Sequence, residues 1–169
     1  MEKLTVRPGT AGDIAALDAL LQRSYPRLLA PDYPPSVLVT AIPRISRAQP
    51  GLVTCGTYFV AHRSDQLVGG GGWTRAAPGK GGKAQGSVGH IRHFATDVDA
   101  VRLGVGSAIM AEVLRSATQA GITMLDCLST RTAVSFYRNA GFEPLGDVDV
   151  PLDAGITFPA VRMIRRLAA

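Results

Sequence analysis

A glycine turn, Arg102-Leu103-Gly104-Val105-Gly106-Ser107, stands between a partly apolar strand over residues 89–96 and an amphipathic helix over about residues 105–120. The helix presents Ile109 and Val113 on one face, continued by Ala117 and Ala120. Gly121 follows where a helix end wants a left-handed residue. A strand, a tight turn and a helix start in this order make an anion site. The first N–H groups of a helix have no intrahelical acceptor, and the macrodipole places partial positive charge there. Glycines let a phosphate come close to the backbone, and Arg102 adds a fixed positive fork.

Two nucleotide motifs are excluded. A Walker loop needs G-x-x-x-x-G-K-[ST], and Gly79-Lys80 and Gly82-Lys83 lack both its first glycine and its final hydroxyl. A dinucleotide fingerprint needs G-x-G-x-x-G or -A after a strand. Gly104 and Gly106 are followed by Ile109 at the third place, and the letters that fit at 79–84 have no strand close before them. The formal charge of +5 raises nucleic acid as a partner, but the 15 arginines among 18 bases are scattered and aromatics are few. No nucleic-acid partner is therefore expected. Two cysteines give no disulfide framework, and the three histidines are not spaced with carboxylates as metal ligands, so no metal is expected. No run approaches the length of a membrane span, and Met1-Glu2-Lys3-Leu4 is no signal core. No membrane partner and a cytoplasmic location are expected.

Gly104, Gly106 and Ser107 resemble motif A of the GNAT acyltransferases, [QR]-x-x-G-x-[GA]. Val101 stands at the usual Gln or Arg, with Arg102 one place on. A second stretch, Ala133-Val134-Ser135-Phe136-Tyr137-Arg138-Asn139-Ala140-Gly141-Phe142, resembles motif B, with Thr130 in place of its usual Asn. The resemblance covers about half the chain. It implies one α+β domain over residues 1–169: a three-layer α/β/α arrangement around a mixed, mostly antiparallel sheet. It also implies acetyl-CoA as acyl donor, an amine acceptor on a small molecule or peptide, and a homodimer as a possible assembly.

The rest of the chain fits that order. Leu4 and Val6 alternate with polar residues as a strand. Thr10 and Asp13 make a shortened capping box before a helix carrying Ile14, Leu17 and Leu21, expected to end near Tyr25-Pro26. Residues 26–56 hold six prolines; Pro34-Pro35 opens a short helix over 37–41, and the remainder reads as loop. Tyr25, Tyr33 and Tyr58 either line a pocket or cap the core. A hairpin turns at 63–65, and Gly69 to Gly72 in its second strand suggest room for a ligand or strong curvature. Residues 76–87 read as loop with Lys80 and Lys83 in solvent. Residues 124–128 read as a buried strand with Cys127 inert, Ser129 or Thr130 caps the next helix, and two last strands occupy about 142–150 and 158–167.

Acyl transfer to an amine needs a neutral nucleophile, a stabilised oxyanion and a protonated leaving thiolate. A lysine-like amine is only about 0.04% neutral at pH 7, a deficit of about 4.6 kcal/mol. The resemblance puts the base fourteen residues before Gly104, at His90. His93 is the second candidate, expected on the opposite face of a regular strand. Arg92 shares the face of His90 and would bind an acidic acceptor or pair with Asp126. Tyr137 matches the motif B acid that protonates the thiolate. Backbone N–H groups of Phe94, Ala95 and Thr96 would hold the oxyanion, at a bulge. Those of Leu103, Gly104, Val105, Gly106 and Ser107, with Arg102, would hold the pyrophosphate. A domain of the same fold that binds acetyl-CoA as a sensor, without turnover, is the alternative.

Overall fold

A computed structural model describes residues 3–79 and 81–168. The elements run β1 (Leu4–Pro8), α1 (Ile14–Leu29), α2 (Pro35–Thr40), α3 (Ile42–Ile45), α4 (Pro50–Val53), β2 (Tyr58–Arg63), β3 (Gln66–Thr74), β4 (Val88–Thr96), α5 (Val105–Gln119), β5 (Met124–Ser129), α6 (Val134–Asn139), β6 (Glu143–Pro151) and β7 (Thr157–Arg166). The strands form one sheet in the order β1-β2-β3-β4-β5-β7-β6, antiparallel throughout except between β4 and β5. This is the expected mixed sheet. One apolar cluster gathers α5, α6 and the sheet around Ile109, Val113, Leu125 and Met163. The other lies on the opposite face, where Leu17, Leu21 and Leu29 of α1 meet Ile42, Val53 and Phe158. Among the described residues, no helix is long and apolar enough to cross a membrane. Lys83 is exposed, as expected; Lys80 lies outside the described residues.

Three local expectations give way to tertiary contacts. Helix α1 does not stop at Tyr25-Pro26 but runs through Pro26 to Leu29. An interior proline costs about 3 kcal/mol; buried Tyr25 and Leu29 on either side anchor the last turn to the core. The stretch expected as loop contains α3 and α4, each started by a proline in its first turn. The four glycines of β3 hold no ligand space. A Cβ on Gly69 would lie 2.6 Å from Val105, one on Gly70 2.7 Å from the Tyr58 hydroxyl, and one on Gly71 2.6 Å from the Phe94 ring. Neighbouring side chains fill the room that these glycines leave.

Candidate active site

Strand β4 changes phase in its middle. Its register against β3 steps from Arg92 opposite Gly72 to Ala95 opposite Gly70, and His93 takes φ 51. This is a β-bulge, one residue before the stretch 94–96 where it was expected. Two tyrosines accept its consequences. The Tyr58 hydroxyl donates to the His93 carbonyl at 2.9 Å, and the Tyr25 hydroxyl donates to the Phe94 carbonyl at 2.7 Å. Tyr33 likewise donates to the Pro159 carbonyl at 2.8 Å. All three rings are buried, which favours the core reading of these tyrosines.

The bulge also corrects the expectation that His90 and His93 face opposite ways. Gly89 and Ile91 face the α5 side, where Leu125 and Ile122 lie. His90 and Arg92 therefore face the α1 side, and the extra residue keeps His93 there too. His93 is enclosed: its Nε2 is 2.8 Å from the Ile45 carbonyl and its ring meets Tyr25 edge-on. Burial holds its pKa below the ordinary histidine value. His90 is only partly covered, and desolvation, with Arg92 and Arg162 nearby, lowers its pKa against the opposing pull of Asp126. It lines a cavity of about 220 Å³ with Asp126, Leu128, Arg162, Ala77 and Pro78. Leu128, expected inside a buried strand, is 40% exposed. Of the two alternatives for Arg92, the pair with Asp126 does not form. Arg162 takes Asp126, Nη2 to Oδ2 at 2.7 Å.

Beyond His90 the sheet opens. β4 and β5 share only three paired positions, Val88 with Met124, Gly89 with Leu125 and His90 with Asp126. Past these the strands part, and Tyr137 stands on the α5 side of the gap. Its ring packs edge-on against Phe94, Phe136 and Phe142. Its hydroxyl end lies toward Cys127, buried in the same cluster. Burial pushes the tyrosine well above its ordinary value and the thiol up to about 12, so both stay protonated at neutral pH.

The glycine turn follows at the far end of β4. Asp97, a residue that sequence reasoning did not single out, anchors it. This buried carboxylate pairs with Arg23 of α1 and accepts the Asp99 N–H at 2.9 Å. The spacing Asp97-Val98-Asp99 carried a signal for it, because a short acidic side chain commonly accepts the amide two residues on. Arg102 (φ 65) and Gly104 (φ 80) are both left-handed, and Gly104 is the N-cap of α5. A Cβ on Gly104 would meet nothing within 4 Å, whereas one on Gly106 would lie 2.9 Å from the Phe136 ring. Gly104 thus borders open space, while Gly106 lets α5 and α6 touch. The amides of the first turn of α5 have no intrahelical acceptor, and Arg102, two residues before Gly104, is exposed. Thr130 caps the turn before α6, its hydroxyl accepting the Ala133 N–H at 3.2 Å.

The arrangement can seat an anion at α5, extended chain in the gap, and an amine beside His90. The family model described as acetyltransferase (GNAT) domain matches residues 54–144. The chain belongs to the GNAT acetyltransferase family. A GCN5-related N-acetyltransferase from Rhodopseudomonas palustris superposes with a TM-score of 0.79 at 19% identity, covering 99% of this chain and 98% of that one. The PaiA N-acetyltransferase of Thermoplasma acidophilum, solved in complex with coenzyme A, gives 0.72 at 13% identity over 97% and 99%. The ribosomal-protein-S18-alanine N-acetyltransferase of Escherichia coli gives 0.64 at 16% identity over 99% and 96%. No curated protein matches the chain by sequence.

Proposed function

We propose that this protein transfers the acetyl group of acetyl-CoA to a primary amine of a small molecule or peptide, by direct attack through a tetrahedral intermediate. The observation that carries the reading is the parting of β4 and β5 just past His90 and Asp126. An extended donor arm adds there as a strand adds to exposed backbone. The coenzyme A complex of the Thermoplasma acidophilum neighbour supports the choice of donor. The open space at Gly104 fits a pyrophosphate held by the N–H groups of Leu103, Gly104, Val105, Gly106 and Ser107 and by Arg102. Each hydrogen bond to a charged oxygen contributes about 1.5–3 kcal/mol. The N–H groups of Phe94, Ala95 and Thr96, just past the bulge, serve the developing oxyanion.

His90 is the base. Its lowered pKa keeps it neutral at pH 7, ready to take the proton of the amine directly or through water. Tyr137 is the acid, in a restricted sense. At reference values of about 10 and 8.5, proton transfer from a phenol to a free thiolate is uphill by about 2 kcal/mol, and burial adds to that. Tyr137 therefore acts first as a hydrogen-bond donor to the departing sulfur. The same burial favours a second reading, the binding domain without turnover, since the buried Tyr137 must be uncovered to reach a ligand.

Calorimetric titration with acetyl-CoA, beside CoA without its acyl group, tests the donor. One-to-one binding at micromolar concentrations or tighter is expected. Release of free thiol with an amine panel then separates the enzyme from the sensor. Folded protein that binds neither form rules out both readings.

A further inference from the structure

Arg92 is a half-buried arginine with no acidic partner among the described residues. Its Nη1 donates to the Thr74 hydroxyl at 3.1 Å and its Nη2 to the Gln49 side-chain carbonyl at 3.3 Å. Both acceptors are neutral, and the second bond is long. The contrast lies on the same face of the sheet, where Arg162 holds Asp126 through three contacts from 2.7 to 3.3 Å. Elsewhere Arg7 is paired with Asp13, and Arg23 with Asp97. A guanidinium that has lost part of its water and gained no counter-ion is a place where an anion binds well. Removal of water lowers its pKa, whereas pairing raises those of Arg7 and Arg162.

The position of Arg92 decides which anion. It stands two residues after His90 on β4, on the same face, and two residues along a strand span about 7 Å. The Asp126–Arg162 pair is neutral as a unit, so the net charge facing His90 is that of Arg92. An acceptor amine arriving as an ammonium ion is repelled by this charge. An acceptor that brings its own carboxylate cancels it.

Resting on the acetyltransferase reading above, we propose that Arg92 binds a carboxylate of the acceptor, and that the acceptor is a small amino acid whose amine is thereby delivered to His90. The guanidinium exchanges its long bond to Gln49 for a charge-assisted one to the substrate. Thr74 keeps the fork oriented.

The test compares the twenty common L-amino acids with their carboxamides, which keep the amine and side chain and remove the negative charge. Thiol release from acetyl-CoA gives kcat and KM. Calorimetry on the CoA-saturated protein gives the affinity of each probe apart from turnover. For the wild type, at least one free acid is expected to exceed its amide about 10- to 100-fold in kcat/KM, mostly through KM, the range of one charged hydrogen-bonded contact. Arg92→Gln is expected to bring acid and amide within about threefold, and Arg92→Lys to restore part of the difference, because a point charge replaces the fork. Acetyl-CoA affinity and the thermal melt of Arg92→Gln establish that the variant is folded. Amides used as well as acids, or a preference for acids that survives Arg92→Gln, overturns the proposal and leaves the acetyltransferase reading standing. So does acetyl-CoA binding with turnover only of amines outside the panel that lack a carboxylate. Failure of the wild type to bind acetyl-CoA removes both.

Discussion

Substitution at Gly104 separates backbone strain from charge at the proposed phosphate site. Gly104 has φ 80, and a Cβ there meets nothing within 4 Å. Gly104→Ala therefore disturbs no packing and costs only the left-handed penalty, about 1–2 kcal/mol. At about 2–4 °C per kcal/mol for a chain of this size, the melting temperature falls by about 2–8 °C. Gly104→Glu carries the same strain and adds a carboxylate beside the amides at the start of α5. A negative charge about 5 Å from a phosphate charge, at an effective dielectric of about 20–80, costs about 1–3 kcal/mol. That corresponds to a roughly 5- to 150-fold loss of CoA affinity per phosphate charge, beyond whatever the alanine variant loses. Thermal melts of both variants fix the strain, and calorimetric titration with CoA reads the charge. Equal CoA affinity in the two folded variants would refute the placement of the pyrophosphate at this turn.

Tyr137→Phe should lower turnover by about 10²-fold or more while CoA affinity stays within about twofold; unchanged turnover returns Tyr137 to its aromatic cluster. His90→Gln should lower kcat/KM by about 10²-fold, and the acid limb of the wild-type profile should lie below the ordinary histidine value of about 6.5, since His90 is active when neutral. A limb above 6.5 removes His90 as the base. Gly71→Ala places a methyl 2.6 Å from the Phe94 ring, which is backed by Phe136 and Tyr137, so overpacking should cost about 1–3 kcal/mol in a denaturant melt. His93 makes stability depend on pH. Its folded pKa is depressed, so the unfolded chain binds the proton first. Stability is full above about 6.5 and is lost as pH falls from there toward the folded value, by at most about 1.4 kcal/mol per pH unit. In His93→Gln this slope should shrink.

The turn at 102–107 and the helix after it were legible because each depends on local chemistry: a glycine at a left-handed position, apolar residues four apart, a glycine at the helix end. What escaped was set by partners far along the chain. Pro26 looks like a helix end until Tyr25 reaches Phe94, 69 residues away. The glycines at 69–72 look like ligand space until Val105, Tyr58 and Phe94 arrive to fill it. The facing of His93 followed from strict alternation, and a one-residue bulge whose carbonyls are satisfied by two distant tyrosines reversed it. Arg92 kept the face that alternation assigns, but Asp126, one of its two candidate partners, had gone to Arg162, whose pairing on β7 depends on the strand order of the whole sheet.

The short junction between β4 and β5 has a mechanical meaning. Two half-sheets, β1 to β4 and β5 to β7, are riveted at one end by three residue pairs and splay like the jaws of tongs. On the proposed placement, a donor arm lying between the jaws would add the missing rungs and hold them together. The protein's resistance to unfolding then rises with the logarithm of ligand concentration above the dissociation constant. Protease digestion should then spare the protein loaded with acetyl-CoA relative to the free protein.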